Sequence, residues 1–178
     1  MPLLLLAAAV AAGVGFTQAP RAPFVATPPD VVQRMLALAK VGPGDVVYDL
    51  GCGDGRIVIA AARQFGTRGV GVDIDPVRID EAQRNARREN VEHLVTFRVQ
   101  DALRTDVSDA TVVALYLVSA LNVQLRPILT TQLRPGARIV SHNFAMGDWD
   151  PDVVDVFTSG DGQSRTLYLW KADGQIRP

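Results

Sequence analysis

Apolar and polar positions from residue 27 onward follow two alternating periods. Segments whose apolar residues lie three and four positions apart predict helices, and short runs rich in valine and isoleucine predict strands. The predicted helices cover residues 27–41, 55–65, 76–90 and 119–133, and the predicted strands cover residues 46–50, 69–74, 94–100, 110–117 and 137–144. Helices between buried strands favour an α/β fold with a doubly wound, mostly parallel sheet and right-handed crossovers.

The two ends of this pattern carry signals of their own. Residues 152–159 and 164–172 predict two strands around the turn "GDGQ", and therefore a C-terminal antiparallel hairpin at the edge of a seven-stranded sheet. At the other end, Thr27 is the predicted N-cap of the first helix, since Asp30 follows in the capping-box position.

Residues 2–16 contain no charged side chain and precede a proline-rich stretch. We therefore divide the chain into a leader or membrane anchor with its linker, residues 1–22, and one domain, residues 23–178. Membrane association through residues 2–20 is expected, with the domain in the cytoplasm, because Arg21 and Arg34 follow the apolar segment. The alternative is a signal peptide at residues 1–19 and an exported, periplasmic domain.

The stretch "VVYDLGCGDGRI", residues 46–57, places three glycines between a predicted strand and a predicted helix. Gly51, Gly53 and Gly55 allow the backbone to approach a ligand closely, and the amides at the helix N-terminus point towards it. A dinucleotide-binding loop needs another glycine where this chain has Arg56, so the pattern disfavours NAD. Cys52 is expected to be a small loop residue and not a nucleophile.

Three aspartates stand at the ends of consecutive predicted strands. Asp49 precedes the glycines, where an anion would repel a pyrophosphate but attract an ammonium or sulfonium group. Asp73 ends the second strand, where a carboxylate accepts hydrogen bonds from ribose hydroxyls, and Asp101 follows the third strand, within reach of an adenine amine. Together they predict a site for a nucleoside with a cationic side chain.

Four segments, "VVYDLGCGDGRI", "GVGVDIDP", "VQDAL" and "RPGARIVS", resemble successive motifs of the class I, seven-stranded methyltransferases that use S-adenosylmethionine. More narrowly, "PFVATPPDVV" and "RPGARIVSHNF" are similar to the ATP synthase c-subunit and adenine nucleotide translocase lysine methyltransferases and their bacterial relatives. The resemblance implies a Rossmann-like methyltransferase fold and S-adenosyl-L-methionine as cofactor. The implied cofactor-binding residues are Asp49, Gly51, Cys52, Gly53, Gly55, Asp73, Ile74, Asp101 and Ala102.

Residues near the ends of the fourth and fifth strands are candidates for the side from which a methyl acceptor approaches. Tyr116 is the candidate catalytic residue, and the alternative is that its side chain only packs in the apolar core. His142 is expected at the same rim with its hydrogen bonds satisfied. The resemblance implies methylation of a protein lysine; the alternatives are a small-molecule or RNA methyltransferase, and a module that binds S-adenosylmethionine without catalysis.

Composition adds limits to this prediction. The 178 residues suit one domain, and 18 basic against 19 acidic residues leave a net charge of −1, without the basic excess typical of nucleic-acid binding. The single cysteine excludes an intramolecular disulfide, and the two histidines lack the spacing of a helical zinc pair. We therefore expect no nucleic-acid partner and no metal. The resemblance implies a protein substrate, and the oligomeric state stays open, with a monomer favoured.

Overall fold

The computed structural model describes residues 25–178. Helices and strands alternate along the chain as far as the fifth strand. In chain order the elements are α1 (Pro29–Leu38), β1 (Val46–Leu50), α2 (Arg56–Phe65), β2 (Arg68–Asp73), α3 (Pro76–Arg88), β3 (Val95–Val99), a 3₁₀ turn (Ala102–Arg104), β4 (Val112–Leu115), α4 (Ser119–Gln132), β5 (Arg138–His142), β6 (Val153–Thr158) and β7 (Ser164–Lys171).

The strands form one seven-stranded sheet in the order β3-β2-β1-β4-β5-β7-β6. Neighbours from β3 to β5 run parallel, whereas β7 is antiparallel to both β5 and β6. The predicted fold class, including the antiparallel C-terminal hairpin, is confirmed. Its second strand, β7, lies inside the sheet and its first strand, β6, forms the edge.

Helices cover both faces of this sheet and enclose two apolar cores. On one face α1, α2 and α3 pack around residues such as Met35, Val47 and Val58, and on the other face α4 packs around residues such as Leu125 and Trp170. Every residue of β1 and β4 is buried, as expected for central parallel strands. Each fully buried large apolar side chain contributes about 1.5–3 kcal/mol of stability, so the cores fix the sheet on which the loops stand.

The predicted N-cap of the first helix is wrong. Helix α1 begins at Pro29 with Pro28 as its N-cap, and no side chain caps it. The Asp30 carboxylate instead accepts hydrogen bonds from the Ser159 hydroxyl and the Gly160 amide, both at 2.8 Å, in the turn between β6 and β7. The capping-box pattern failed because a tertiary contact uses the same carboxylate.

The predicted localisation, a membrane-associated protein with its domain in the cytoplasm, is contradicted. Within residues 25–178, every helix is too short or too polar to cross a membrane. The predicted anchor at residues 2–20, and the signal peptide considered as its alternative, lie outside the described residues.

Candidate active site

The candidate site lies where the order of the parallel strands reverses. From β1 the chain proceeds to β2 and β3 on one side of the sheet, and then to β4 and β5 on the other. Open α/β sheets bind ligands in the crevice at the carboxyl ends of the strands at such a point. A cavity of about 450 Å³ is found there, a size within the roughly 300–1,000 Å³ of small-molecule sites.

Most of the predicted site residues line this cavity. They are Asp49, Gly51, Cys52, Asp73, Ile74, Asp101, Ala102 and Tyr116. Two predicted residues, Gly53 and Gly55, lie outside the lining. The strand ends therefore bring together residues that are up to 67 positions apart in the sequence, as the parallel topology requires.

The glycine loop between β1 and α2 shows why Gly51 and Gly55 must be glycines. Gly51 has φ +84°, and a Cβ atom there would lie 2.7 Å from the Leu117 side chain. Gly55 has φ +80°, and its Cβ would lie 2.6 Å from the Phe97 ring and 2.9 Å from Ala82. Gly51 thus shapes the cavity directly, whereas Gly55 lets α2 pack closely against β3 and α3 behind the loop.

Asp49 is the most buried carboxylate of the site, with 3% of its surface exposed. It lies in β1 between Gly71 of β2 and Ala114 of β4, at the centre of the sheet. Burial, reinforced by the charges of Asp73 and Asp54, raises the pKa of Asp49 from 3.8 to about 8. A positively charged group in the cavity would favour its ionised form, so the residue suits a cationic ligand.

Asp73 connects the second strand to the glycine loop. One of its carboxylate oxygens accepts the Gly53 N–H and the other accepts the Asp75 N–H, both at 3.0 Å. A carboxylate has about four lone-pair directions, so two remain for further donors from the cavity. Gly53, although outside the lining, therefore acts on the site by holding the Asp73 carboxylate in place.

Asp101 and its neighbours form the third strand end. The Asp101 carboxylate accepts the Leu103 N–H at 2.9 Å, so it caps the short 3₁₀ turn while it lines the cavity. Ala102 follows it in the lining, and Ile74, which is 47% exposed, provides an apolar surface after β2. Carboxylate and apolar surface together suit a planar aromatic ligand with a donor at its edge.

Cys52 is buried in the glycine loop. Burial and the nearby carboxylates, Asp49 first among them, raise the pKa of the Cys52 thiol far above its usual range. Since the thiolate is the nucleophilic form, the residue stays an unreactive thiol in this setting. Its sulfur packs close to Gly71 of β2, where a Cβ atom would lie only 2.9 Å away.

An ion pair that the sequence analysis missed joins the loop to the segment before α1. Arg56 binds both carboxylate oxygens of Asp54, at 2.8 and 2.5 Å, and donates to the Thr27 carbonyl at 2.8 Å. Val25, Ala26 and Thr27 all line the cavity. The sequence analysis used Arg56 only as a departure from the dinucleotide-binding loop. Its hydrogen bond to the Thr27 carbonyl was not predicted, because a partner 29 positions away leaves no local sequence pattern.

The opposite side of the cavity carries an aromatic cluster of Tyr116, His142 and Phe144. Tyr116 lines the cavity, and its ring centroid lies 4.0 Å from that of His142 and 6.1 Å from that of Phe144. The expectation of a hydrogen-bonded rim histidine is wrong: His142 is 0% exposed, and neither ring nitrogen has a partner among the described residues. Burial, and to a lesser extent Arg165, lower its pKa from 6.5 to about 4.

The charges around the cavity are unbalanced. Its lining contains five aspartates and two arginines. Both arginines pair with acidic side chains, Arg56 with Asp54 and Arg78 with Glu81. Among residues 25–178, no set of acidic, histidine and cysteine side chains is arranged to hold a metal ion. The excess of carboxyl groups over arginines in the lining favours a ligand that carries a positively charged group.

Comparisons with known proteins agree with this geometry. A family model described as the ANTKMT methyltransferase domain matches residues 49–153. The protein-lysine N-methyltransferase of Saccharolobus islandicus is 43% identical over 85% of this chain and 94% of that protein. The adenine nucleotide translocase lysine N-methyltransferase of Mus musculus is 32% identical over 89% of this chain and 67% of its own length.

A solved structure is similar over most of the domain. The crystal structure of an RNA methyltransferase from Salinibacter ruber, in complex with S-adenosyl-L-homocysteine, is 50% identical with a TM-score of 0.80, and covers 86% of this chain and 97% of that one. The predicted cofactor, S-adenosyl-L-methionine, and the predicted class of enzyme are confirmed. The chain is an S-adenosylmethionine-dependent methyltransferase and belongs to the family of the ANTKMT methyltransferase domain.

Proposed function

We propose that this methyltransferase acts on lysine side chains of proteins. The observation that carries the proposal is the excess of acidic side chains in the cavity, whose lining contains five aspartates and two arginines. Arg56 pairs with Asp54, one of the five, and Arg78 pairs with Glu81 outside the lining. A lysine ammonium is attracted to such a site, whereas the phosphates of RNA are repelled by it. Two relatives named as lysine methyltransferases support the same acceptor.

The aspartates at the strand ends hold the cofactor in this proposal. Asp49 lies by the charged amino-acid and sulfonium part, Asp73 uses its free lone pairs for the ribose hydroxyls, and Asp101 accepts from the adenine amine. Ile74 and Ala102 pack against the adenine ring. Gly51 and Cys52 bring the loop backbone close to the cofactor. Gly53 acts indirectly by holding the Asp73 carboxylate, and Gly55 does so by letting α2 pack closely behind the loop.

S-adenosylmethionine, when bound, supplies an electrophilic methyl group, which passes to the lone pair of the acceptor nitrogen while the carbon–sulfur electron pair stays with sulfur. The protein's contribution is to align the acceptor and exclude water. A lysine must lose a proton before it reacts, and the apolar part of the lining lowers its pKa by desolvation. The proton then leaves to water through the open side of the cavity.

The similar solved structure described as an RNA methyltransferase makes RNA the rival acceptor. Against it stand the net charge of −1 and the acidic lining of the cavity. Proteins that hold RNA by its phosphates carry a basic groove or patch. Among residues 25–178, the cavity lining offers none.

The test is a methyl-transfer assay with tritiated S-adenosylmethionine and two acceptor pools, total protein and total RNA from the native organism. We expect label that is sensitive to protease, resistant to ribonuclease, and recovered as methyl-lysine after hydrolysis. The Asp73→Ala variant is the control for cofactor-dependent labelling. If ribonuclease removes the label, RNA and not a protein lysine is the methyl acceptor. Cofactor binding without label in either pool would refute catalysis on macromolecules.

A further inference from the structure

The aromatic cluster of Tyr116, His142 and Phe144 has a geometry that cofactor binding does not explain. Asp49 and Ala114 are paired in register between β1 and β4, and Tyr116 follows Ala114 by two positions. Because side chains alternate along a strand, Asp49 and Tyr116 lie on the same face of the sheet. Tyr116 therefore lines the cavity beyond the buried carboxylate, on the side away from β2 and β3.

A strained turn after β5 holds Phe144 in this cluster. Asn143 has φ +62°, which is uncommon for a residue other than glycine, and the Phe144 N–H donates to the His142 carbonyl at 2.9 Å. The Phe144 carbonyl accepts the Ser141 hydroxyl at 2.6 Å and the Asn122 amide at 2.9 Å. Two buried polar side chains thus fix the position of one aromatic residue.

The Asn143 side chain secures the same turn from the neighbouring strand. Its carbonyl oxygen accepts the Thr166 N–H at 3.0 Å, and the Asn143 backbone N–H donates to the Thr166 carbonyl at 2.7 Å. Strain of this kind is retained where the surrounding structure over-determines it, and it is concentrated at functional sites. The turn is therefore built to place the ring that follows it.

His142 is a poor choice for a purely structural position. A buried polar atom without a hydrogen bond costs about 1–3 kcal/mol, and both His142 ring nitrogens lack a partner among the described residues. Its low pKa keeps the imidazole neutral at physiological pH. The ring packs against Tyr116 at an interplanar angle of 31° as an uncharged support, and it adds no positive charge beside the cavity.

We propose that the aromatic cluster is the acceptor subsite, that the Tyr116 ring binds the positively charged nitrogen of the substrate, and that His142 is a positioning residue that holds this ring. The inference rests on the proposed lysine specificity. An amine that accepts a methyl group becomes positively charged at nitrogen, and an aromatic face attracts such a cation. The support behind Tyr116 must be neutral, because a charged one would repel the same nitrogen.

The test compares two small probes that differ only in charge. Choline carries a quaternary ammonium group, and 3,3-dimethylbutan-1-ol has a carbon atom in place of that nitrogen. Binding of each to the protein saturated with S-adenosylhomocysteine is followed by NMR titration. We expect the wild-type protein to bind choline at least about tenfold more tightly than the alcohol, which corresponds to about 1.4 kcal/mol.

Substitutions in the aromatic cluster test whether the preference for choline depends on its rings. The acidic lining alone gives some preference for choline, so Tyr116→Leu should reduce the preference at least about fivefold, whereas Tyr116→Phe should keep it in full. His142→Ala should reduce it about fivefold, with the affinity for S-adenosylhomocysteine within twofold of wild type, and His142→Phe should restore it, since a neutral ring again supports Tyr116. If His142→Ala does not fold, Phe144→Leu replaces it as the variant with a weakened cluster.

No charge preference in the wild type, or a preference that is undiminished in Tyr116→Leu, would overturn the proposal. A drop in His142→Ala that His142→Phe does not restore would overturn the positioning role. Because these measurements use no methyl acceptor, they separate the subsite from the proposed function. A charge preference combined with ribonuclease-sensitive labelling would refute lysine specificity alone, and lysine methylation without a charge preference would refute the subsite alone.

Discussion

The two sides of the cavity are built in different ways. The carboxylate side, with Asp49, Asp73 and Asp101, uses residues at the ends of adjacent parallel strands. Asp73 and Asp101 each accept an amide two positions further along the chain, and Asp73 also accepts the Gly53 amide of the glycine loop. The aromatic side, with Tyr116 and His142, depends on a strained turn and on contacts between distant segments. The first side repeats one arrangement, a carboxylate at the end of a parallel strand, whereas the second combines aromatic rings with a turn at positive φ.

The largest difference between the two sides should be seen in Asp73→Ala. This change removes the acceptor for two backbone amides and, in the proposed binding mode, for the ribose hydroxyls, so we expect at least about a hundredfold loss of S-adenosylmethionine affinity, or about 2.7 kcal/mol. Isothermal titration calorimetry measures it. The matched control is Asp106→Ala, which removes an aspartate that accepts the Ser108 amide outside the cavity; equal losses in both variants would contradict a specific role for Asp73.

The second prediction compares the two glycines that flank α2. Both have positive φ, but a Cβ at Gly55 would meet Phe97 at 2.6 Å, whereas one at Gly66 would meet nothing within 4 Å. Gly55→Ala should lower the free energy of unfolding by about 3 kcal/mol and Gly66→Ala by about 1 kcal/mol. Urea denaturation measures both. Similar losses of stability in the two variants would mean that backbone conformation, and not close packing behind the loop, explains why residue 55 is a glycine.

The third prediction uses the raised pKa of Asp49, about 8 in the folded protein against 3.8 for an unperturbed carboxyl. The native state keeps a proton that the unfolded chain releases, so Asp49 makes stability fall as the pH rises from about 4 to about 8. Asp49→Asn should flatten this slope and raise the free energy of unfolding at pH 8 by about 1–3 kcal/mol. Urea denaturation at several pH values tests it, and an unchanged slope would contradict it.

A calorimetric measurement sharpens the same prediction. If a cation beside Asp49 favours the ionised carboxylate, binding of S-adenosylmethionine to the wild type at pH 7 releases up to about one proton. Titrations in two buffers of different ionisation enthalpy count the released proton. Asp49→Asn serves as the control and should release less; equal release in both proteins would assign the proton to another group.

The smallest expected effect belongs to the aromatic side. Asn143→Ala removes the acceptor of the Thr166 N–H at a residue with φ +62°, and we expect a loss of about 1–2 kcal/mol of stability with unchanged S-adenosylmethionine affinity. Asn90→Ala is the control, because Asn90 also has positive φ, +57°, but lies at the end of α3. Thermal denaturation measures both. A loss of cofactor affinity in Asn143→Ala would mean that the two sides are not independent.

The carboxylate side could be predicted from the sequence because its information is local. A short buried strand, a glycine-rich turn and an acidic residue leave a recognisable order of residues, and the parallel topology places the strand ends together. Asp49, Asp73 and Asp101 were found in this way. Arg56 was visible but its role was not, since its contact with the Thr27 carbonyl depends on where the preceding segment lies.

The aromatic side could be predicted only in part. Tyr116 was identified from its position near the end of the fourth strand, but no sequence pattern around His142 indicates that its ring is fully buried and in contact with that tyrosine. Nor does the sequence indicate a positive φ at Asn143, because the hydrogen bond that stabilises it comes from another strand. The Thr27 cap failed for the same reason, since Asp30 binds a distant turn.

The position of β7 has a consequence for how the protein is made. Ser164–Lys171 is synthesised after every other strand, yet it lies between β5 and β6 and contains Trp170, which is 0% exposed. Until this segment has joined the sheet, β5 has an open edge and β6 has no partner among the described strands. An exposed strand edge invites pairing with other chains, so a folding intermediate that lacks β7 is the form most vulnerable to aggregation.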